Sequence, residues 1–312
     1  MFLDASNATG AEYGPAMQRA GSVREDGRDA SRFWPDLGQI DCAFDISNAT
    51  LWSFMDFGDR RPSYNPELLE DFHAWQRNIS ALKAEAGENL KYVVLGSRHP
   101  KMFCLGGDLD YFCECIEEAN REALLAYGQS CVRILHRNWQ SSDNGLMTIG
   151  LAQGDALGGG FESLLSFDVL VAERGVKFGF PEQLFGLFPG MGALTFMGRK
   201  LGFAKAEQLT RSGKCLTAEE MHELGVVHML AEPGQGVDTV RRMIMKTGRR
   251  FDSQLAYHRA AKRANPIPFE ELMDIVALWA DACLTLDKHD LAVMRRLVGA
   301  QSRLPVIEKA AA

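Results

Sequence analysis

Two carboxylates stand twenty residues apart in this chain, each beside a turn marked by glycine or proline. Glu162 closes the run Gly154-Asp155-Ala156-Leu157-Gly158-Gly159-Gly160-Phe161-Glu162. Glu182 sits within Phe178-Gly179-Phe180-Pro181-Glu182-Gln183-Leu184-Phe185-Gly186. A third element, Phe103-Cys104-Leu105-Gly106-Gly107-Asp108-Leu109, lies upstream. A carboxylate pair supplies one base and one acid. Two glycine turns offer backbone N–H groups to a developing oxyanion. Together these parts suit enolate chemistry beside a thioester carbonyl.

Each part also has a plainer reading. A glycine triplet after a strand can be a tight turn and nothing more. Here it opens a helix, whose free N–H groups and positive end suit an oxyanion, and Glu162 falls on the first turn of that helix. Asp108 reads as the N-cap of the helix that follows. Glu182 could be a surface loop residue, but Phe178, Phe180, Leu184 and Phe185 flank it. Burial among them raises a carboxyl pKa, as a proton-transferring acid requires.

The elements that must position these residues follow from periodicity. Ile40, Cys42, Phe44 and Ile46 alternate as in a strand, 51–57 is a second strand, and the two form a hairpin across Ser47-Asn48-Ala49. Asn65-Pro66-Glu67 starts a helix with Leu68, Leu69, Phe72, Trp75, Ile79 and Leu82 on one face, stopped by Gly87. A strand over 91–97, helices from Leu109 and from Arg121 to Trp139, and strands over 146–153 and 169–173 follow. An aromatic-rich loop spans 178–188, and the pattern is helical from Met191 onward. The division is a flexible polar arm over 1–36, a core over 37–215 and a helical region over 216–312. Leu272, Ile275, Trp279 and Cys283, with Val276 beside them, form a helical stripe suited to holding a homo-oligomer.

Composition narrows the class. A net charge of -7 over 312 residues argues against a nucleic-acid binder. Anionic ligands need only a local basic patch, and Arg60-Arg61, Arg98 with Lys101, and Arg242, Lys246 and Arg250 at helical spacing are candidates for a carrier's phosphates. Seven cysteines without CxxC spacing suit free thiols in a reducing cytoplasm, and no His/Cys grouping suggests a metal. Met1-Phe2-Leu3-Asp4 lacks a secretory leader's basic start and apolar run, and no stretch approaches the roughly 20 apolar residues of a membrane span. A soluble cytoplasmic protein is expected.

Taken together, the motifs resemble the crotonase (enoyl-CoA hydratase/isomerase) superfamily from about residue 40 to about 230. The stretch from Gln153 to Leu201 is the most specific, with Phe178-Gly179-Phe180-Pro181-Glu182 and Gly186-Leu187-Phe188-Pro189-Gly190-Met191-Gly192 following that family's phrasing. The resemblance implies an α/β fold, the ClpP-like spiral of strand–strand–helix units with a C-terminal helical region. It makes Gly107 and Gly159 the oxyanion-hole donors and Glu162 and Glu182 the catalytic pair. It sets Leu105, Gly106, Leu157, Gly158, Met191 and Gly192 against the substrate. Within the superfamily, the chain is similar to the diffusible signal factor synthases, with Leu-Gly-Gly-Asp-Leu at 105–109 where typical hydratases have Ala-Gly-Ala-Asp. Arg61-Pro62-Ser63-Tyr64-Asn65-Pro66-Glu67-Leu68-Leu69 is similar to that subgroup too.

That likeness implies dehydration of a 3-hydroxyacyl-[acyl carrier protein] to a cis-2-enoyl thioester, then hydrolysis to a free cis-2-unsaturated fatty acid signal for quorum sensing. Glu182 would take the α-proton and Glu162 would protonate the departing 3-hydroxyl. Which of the two is acid and which is base stays open. No cofactor is implied beyond the carrier protein or coenzyme A that bears the substrate. A trimer or hexamer is implied, and by family analogy a regulatory sensor-kinase partner. Two other readings are an ordinary enoyl-CoA hydratase without hydrolysis and a non-catalytic acyl-binding regulatory protein. The last would lack a carboxylate or a glycine turn, and neither is missing.

Overall fold

The computed structural model describes residues 37–301 and a two-residue strand ahead of them, β1 (Gln18–Arg19). The rest of the expected N-terminal arm lies outside the described residues. β2 (Ile40–Asp45) and β3 (Thr50–Met55) form the expected antiparallel hairpin, and β1 pairs with the outer edge of β2. α1 (Pro66–Ala86) starts where Asn65 and Pro66 indicated: the Asn65 side chain accepts the Leu68 N–H at 2.8 Å, and Gly87 ends the helix.

Three successive units then alternate between two sheets. In the first, β4 (Tyr92–Ser97) and β5 (Met102–Cys104) precede α2 (Leu109–Glu117) and α3 (Arg121–Trp139). In the second, β6 (Met147–Ala152) and β7 (Asp155–Leu157) precede α4 (Gly159–Leu164). In the third, β8 (Val169–Glu173) and β9 (Lys177–Gly179) precede a 3-10 turn, Pro181–Phe185, then α5 (Ala193–Leu201) and α6 (Phe203–Ser212). β10 (Cys215–Thr217), α7 (Ala218–Glu223) and β11 (Met229–Ala231) follow. The chain continues through α8 (Gly236–Thr247), α9 (Phe251–Ala264), α10 (Phe269–Cys283) and α11 (Lys288–Gln301). The larger sheet has the order β1-β2-β3-β4-β6-β8-β11 and the smaller β10-β9-β7-β5. The first strand of each unit joins the larger sheet and the second joins the smaller, which is the expected spiral.

β3, β4 and β6 of the larger sheet are buried on both faces, so their side chains divide between two cores. Leu51, Met55, Val93 and Leu95 join the main core with α1, α3 and α4, while Trp52, Phe54, Tyr92 and Val94 join a second core under α8 and α9. Among the described residues no helix is long and apolar enough to cross a membrane, and no three His, Cys, Asp or Glu side chains stand together as a metal site.

Several expectations need correction. The short strands β5, β7, β9, β10 and β11 were not foreseen, because three residues are too few to show alternation. The aromatic stretch 178–188 begins in β9 rather than being all loop. The region after 215 is not purely helical: β11 pairs parallel with β8 in the larger sheet. Arg242 and Lys246 lie on α8, but Arg250 belongs to a separate 3-10 turn and does not continue their face. On α10, Leu272, Val276, Trp279 and Cys283 are buried within their own chain, and the Trp279 ring meets Phe112 edge-on at 5.1 Å. Those four pack on their own domain, and Ile275 of the expected stripe is half-buried.

Candidate active site

The smaller sheet brings the chemistry together. β5, β7 and β9 are parallel neighbours, with Cys104 opposite Ala156 and Leu157 opposite Gly179. The segments leaving their carboxyl ends therefore emerge side by side: Leu105 to Asp108 after β5, Gly158 after β7, and Phe180 to Glu182 after β9. Ligands commonly bind at the carboxyl ends of parallel strands. Tyr64 N–H donates to Gly106 O at 2.8 Å and Leu105 N–H to Pro62 O at 2.7 Å, fastening the first segment to the turn before α1. The Tyr127 hydroxyl donates to Tyr64 O and accepts the Asp108 N–H, so α3 braces the same turn. Asp108 caps α2 by accepting the Asp110 N–H, as expected, and Arg61 pairs with both acids.

Glu162 sits on the first turn of α4, 1% exposed. Its Oε1 accepts two backbone N–H groups, from Met191 and Ala193, each at 2.8 Å. Burial pushes its carboxyl up from 4.5 to about 7, and these hydrogen bonds oppose the rise. The Glu182 carboxyl is pushed well above the ordinary range by burial first and by the nearby Glu162 charge second. Its Oε2 is buried without a hydrogen-bond partner among the described residues. Both carboxyls are thus raised, and they differ in their hydrogen bonds: Glu162 receives two backbone N–H groups, while Glu182 Oε2 receives none among the described residues. Phe178 and Phe180 bury this corner as expected, but Leu184 turns outward at 58% exposure.

Glycine is required at two of these turns. Gly158 has φ +50°, and a Cβ there would stand 2.5 Å from Glu182 Oε1. Gly106 has φ +98°, and a Cβ would come within 2.8 Å of the Gly159 nitrogen. Both glutamates, Gly107 and Gly159 line one cavity of about 120 Å³. The backbone N–H groups of Gly107 and Gly159 have no protein acceptor among the described residues.

Leu105, Leu157 and Met191 also line the cavity. Gly106, Gly158 and Gly192 do not; the first two shape its turns, and Gly192 is the N-cap of α5 beside Ala193. Sequence reasoning missed Phe112, Tyr127, Trp279, Leu297 and Gln301, which are part of the wall. For the four apolar or aromatic ones the signal was helical spacing, which any core helix shows, and Gln301 carried none. Of the basic candidates, Arg60 and Arg61 line a separate hollow with Ser63 and Asn65, and Arg98 pairs with Asp41.

Residues 65–264 match the family model described as Enoyl-CoA hydratase/isomerase. The chain belongs to the enoyl-CoA hydratase/isomerase family. It is 28% identical over 202 residues to the fatty acid oxidation complex subunit alpha of Vibrio cholerae serotype O1, covering 64% of this chain and 27% of that protein. It is 27% identical over 173 residues to the mitochondrial methylglutaconyl-CoA hydratase of Rattus norvegicus, covering 55% of this chain and 52% of that protein. The chain therefore spans about a quarter of the first relative and about half of the second. An enoyl-CoA hydratase from Bacillus halodurans has a similar structure, with TM-score 0.66 at 21% identity, over 82% of this chain and 99% of that one. Pseudomonas aeruginosa DspI gives TM-score 0.59 at 18% identity, over 72% of this chain and 86% of that one. Such identities establish the fold alone. The enoyl-CoA hydratase/isomerase match includes Gly107, Gly159, Glu162 and Glu182 but ends before α10 and α11, which supply Trp279, Leu297 and Gln301 to the cavity.

Proposed function

We propose that this protein adds water reversibly across the C2–C3 double bond of a 2-enoyl thioester carried by coenzyme A or an acyl carrier protein. The carrying observation is one cavity that holds two buried carboxyls, both raised by burial, together with two backbone N–H groups that have no protein acceptor among the described residues. The thioester oxygen would lie between the Gly107 and Gly159 N–H groups, which stabilise the enolate. In hydration, the Glu162 carboxylate takes a proton from water as its oxygen bonds to C3, and Glu182 gives its proton to C2. Dehydration runs the same transfers backwards: Glu182 takes the α-proton and Glu162 protonates the departing hydroxyl. Hydration therefore starts from the form with Glu182 protonated and Glu162 ionised. The test is loss of the conjugated enoyl absorbance of crotonyl-CoA, with Glu162→Gln and Glu182→Gln each slowing it by about 10²–10⁴-fold. Turnover near the wild-type rate in either variant removes that residue from the mechanism.

A second reading rests on the Leu105-Gly106-Gly107-Asp108-Leu109 turn, which follows the signal-synthase pattern. In it, dehydration of a 3-hydroxyacyl carrier protein is followed by attack of a carboxylate-activated water on the carbonyl carbon, releasing the carrier thiol and a free cis-2-enoic acid. Mass spectrometry of the products separates the two: a 3-hydroxyacyl thioester supports the first, a free unsaturated acid the second.

A further inference from the structure

A smaller cavity lies next to the first. It is bounded by Leu69, Phe72 and Trp75 of α1, Ile134 and Leu135 of α3, and Phe167, all buried. Met191 lines both cavities. Helix α3 serves both as well: Tyr127 and Gly128 face the first, while Cys131, Leu135 and Asn138 face the second. Positions 127, 131, 135 and 138 fall on one helical stripe, so the two spaces follow each other over roughly 15 Å of one helix face.

The polar atoms in the second wall are largely turned toward one another. The Tyr64 and Ser163 hydroxyls are 2.6 Å apart, Ser163 Oγ donates to Gly160 O at 2.9 Å, and Asn138 Nδ2 donates to Ser166 Oγ at 2.9 Å. Gln76 is the exception: Nε2 donates to Ile134 O at 2.8 Å, and Oε1 is buried without a partner. The space is otherwise faced by hydrocarbon. Met191 is fixed at its backbone, through the N–H it gives Glu162, while its thioether is held by packing. An unbranched methionine side chain changes rotamer more readily than a branched one.

We propose that the two cavities are successive chambers of one acyl channel, that the Met191 side chain is the gate between them, and that the second chamber takes the distal methylenes of a long acyl chain. This rests on the acyl-thioester reading of the site. The second chamber holds about 20 Å³ at rest, and rotation of Met191 adds the space its own side chain vacates. Chain-length preference is then set by Met191 and by the side chains across the second chamber, Leu135 among them.

The test is calorimetric binding of butanoyl-, octanoyl- and dodecanoyl-CoA, saturated thioesters that cannot be hydrated, so the readout is independent of turnover. Each methylene buried tightens Kd roughly fourfold. In the wild type, affinity should rise along the series. Met191→Ala should widen the ratio of butanoyl to dodecanoyl Kd by about tenfold, and Leu135→Phe, which fills the chamber, should narrow it by about as much. Equal binding of all three thioesters, no binding of any, or a ratio unmoved in both variants while their melting temperatures stay near wild type, would overturn the channel. Rising affinity without hydration of crotonyl-CoA keeps the channel and refutes the catalytic reading; hydration with a flat series refutes the channel alone.

Discussion

Replacing the Glu162 carboxyl by an amide should make the protein more stable at neutral pH while disabling it. Burial raises this carboxyl from 4.5 in an unfolded chain to about 7 in the folded one. Below pH 4.5 both states hold the proton, and the group contributes nothing. Between 4.5 and about 7 the unfolded chain releases a proton that the folded chain keeps, so rising pH increasingly favours unfolding. Above about 7 both states are ionised and the full cost stands, about 3 kcal/mol. Glutamine removes that cost and still presents a carbonyl oxygen to the Met191 and Ala193 N–H groups. The assay is calorimetric melting of wild type and Glu162→Gln from about pH 4 to about pH 9. The curves should coincide near the acid limit, separate as pH approaches about 7, and run parallel above it. A plateau of this size is worth roughly 5 °C in a chain of this length. Glu182→Gln should also gain, and the double variant less than the sum, because the Glu162 charge is part of what raises Glu182. An offset independent of pH, or a variant that melts below wild type near pH 8, would refute the argument that buried charge at Glu162 opposes folding.

Other outcomes follow from the same geometry. The hydration rate on crotonyl-CoA should fall about tenfold per pH unit below about 7, as Glu162 becomes protonated and can no longer accept a proton from water; a pH–rate profile flat through that range removes Glu162 as the base. Gly159→Val should lower kcat by about 10²-fold or more with a smaller effect on melting, since a Cβ there comes within 2.6 Å of Met191 Sδ and crowds an oxyanion donor; a lowered melting temperature with unchanged kinetics would reduce Gly159 to a turn residue. Cys104→Ser should stay active, because burial pushes the Cys104 thiol up to about 12 and leaves it protonated; a trapped acyl adduct on Cys104 would overturn this.

What was legible in the sequence is what local chemistry decides. Asn65 before Pro66, Asp108 before Leu109 and the glycines at 158 and 159 mark helix starts through backbone groups within a few residues, and each helix begins there. β2 was legible from its alternation, and β3 and β8 as short runs of strand-forming residues, which are also local signals. The three-residue strands were not, because they are strands only through the neighbours they pair with: Cys104 is in β5 because Ala156 lies beside it. The stripe on α10 shows the opposite limit. Periodicity revealed an apolar face but not what covers it, and the cover is α3, where a Cβ on Gly128 would come within 2.6 Å of Val276.

The same limit explains the candidate site. Glu162 and Glu182 were found because carboxylates among glycines and phenylalanines are locally anomalous. Tyr127 and Trp279 escaped because an aromatic residue on an amphipathic helix is ordinary until the fold places it in a cavity wall. The unequal hydrogen bonding of the two carboxyls was out of reach for a related reason. Both glutamates sit in apolar surroundings by sequence, and what separates them is the pair of N–H groups from Met191 and Ala193, almost thirty residues beyond Glu162, that reaches one carboxyl and not the other. The turn into α5 therefore sets the hydrogen bonding of Glu162, through main-chain N–H groups at Met191 and Ala193 that do not depend on the identity of the Met191 side chain.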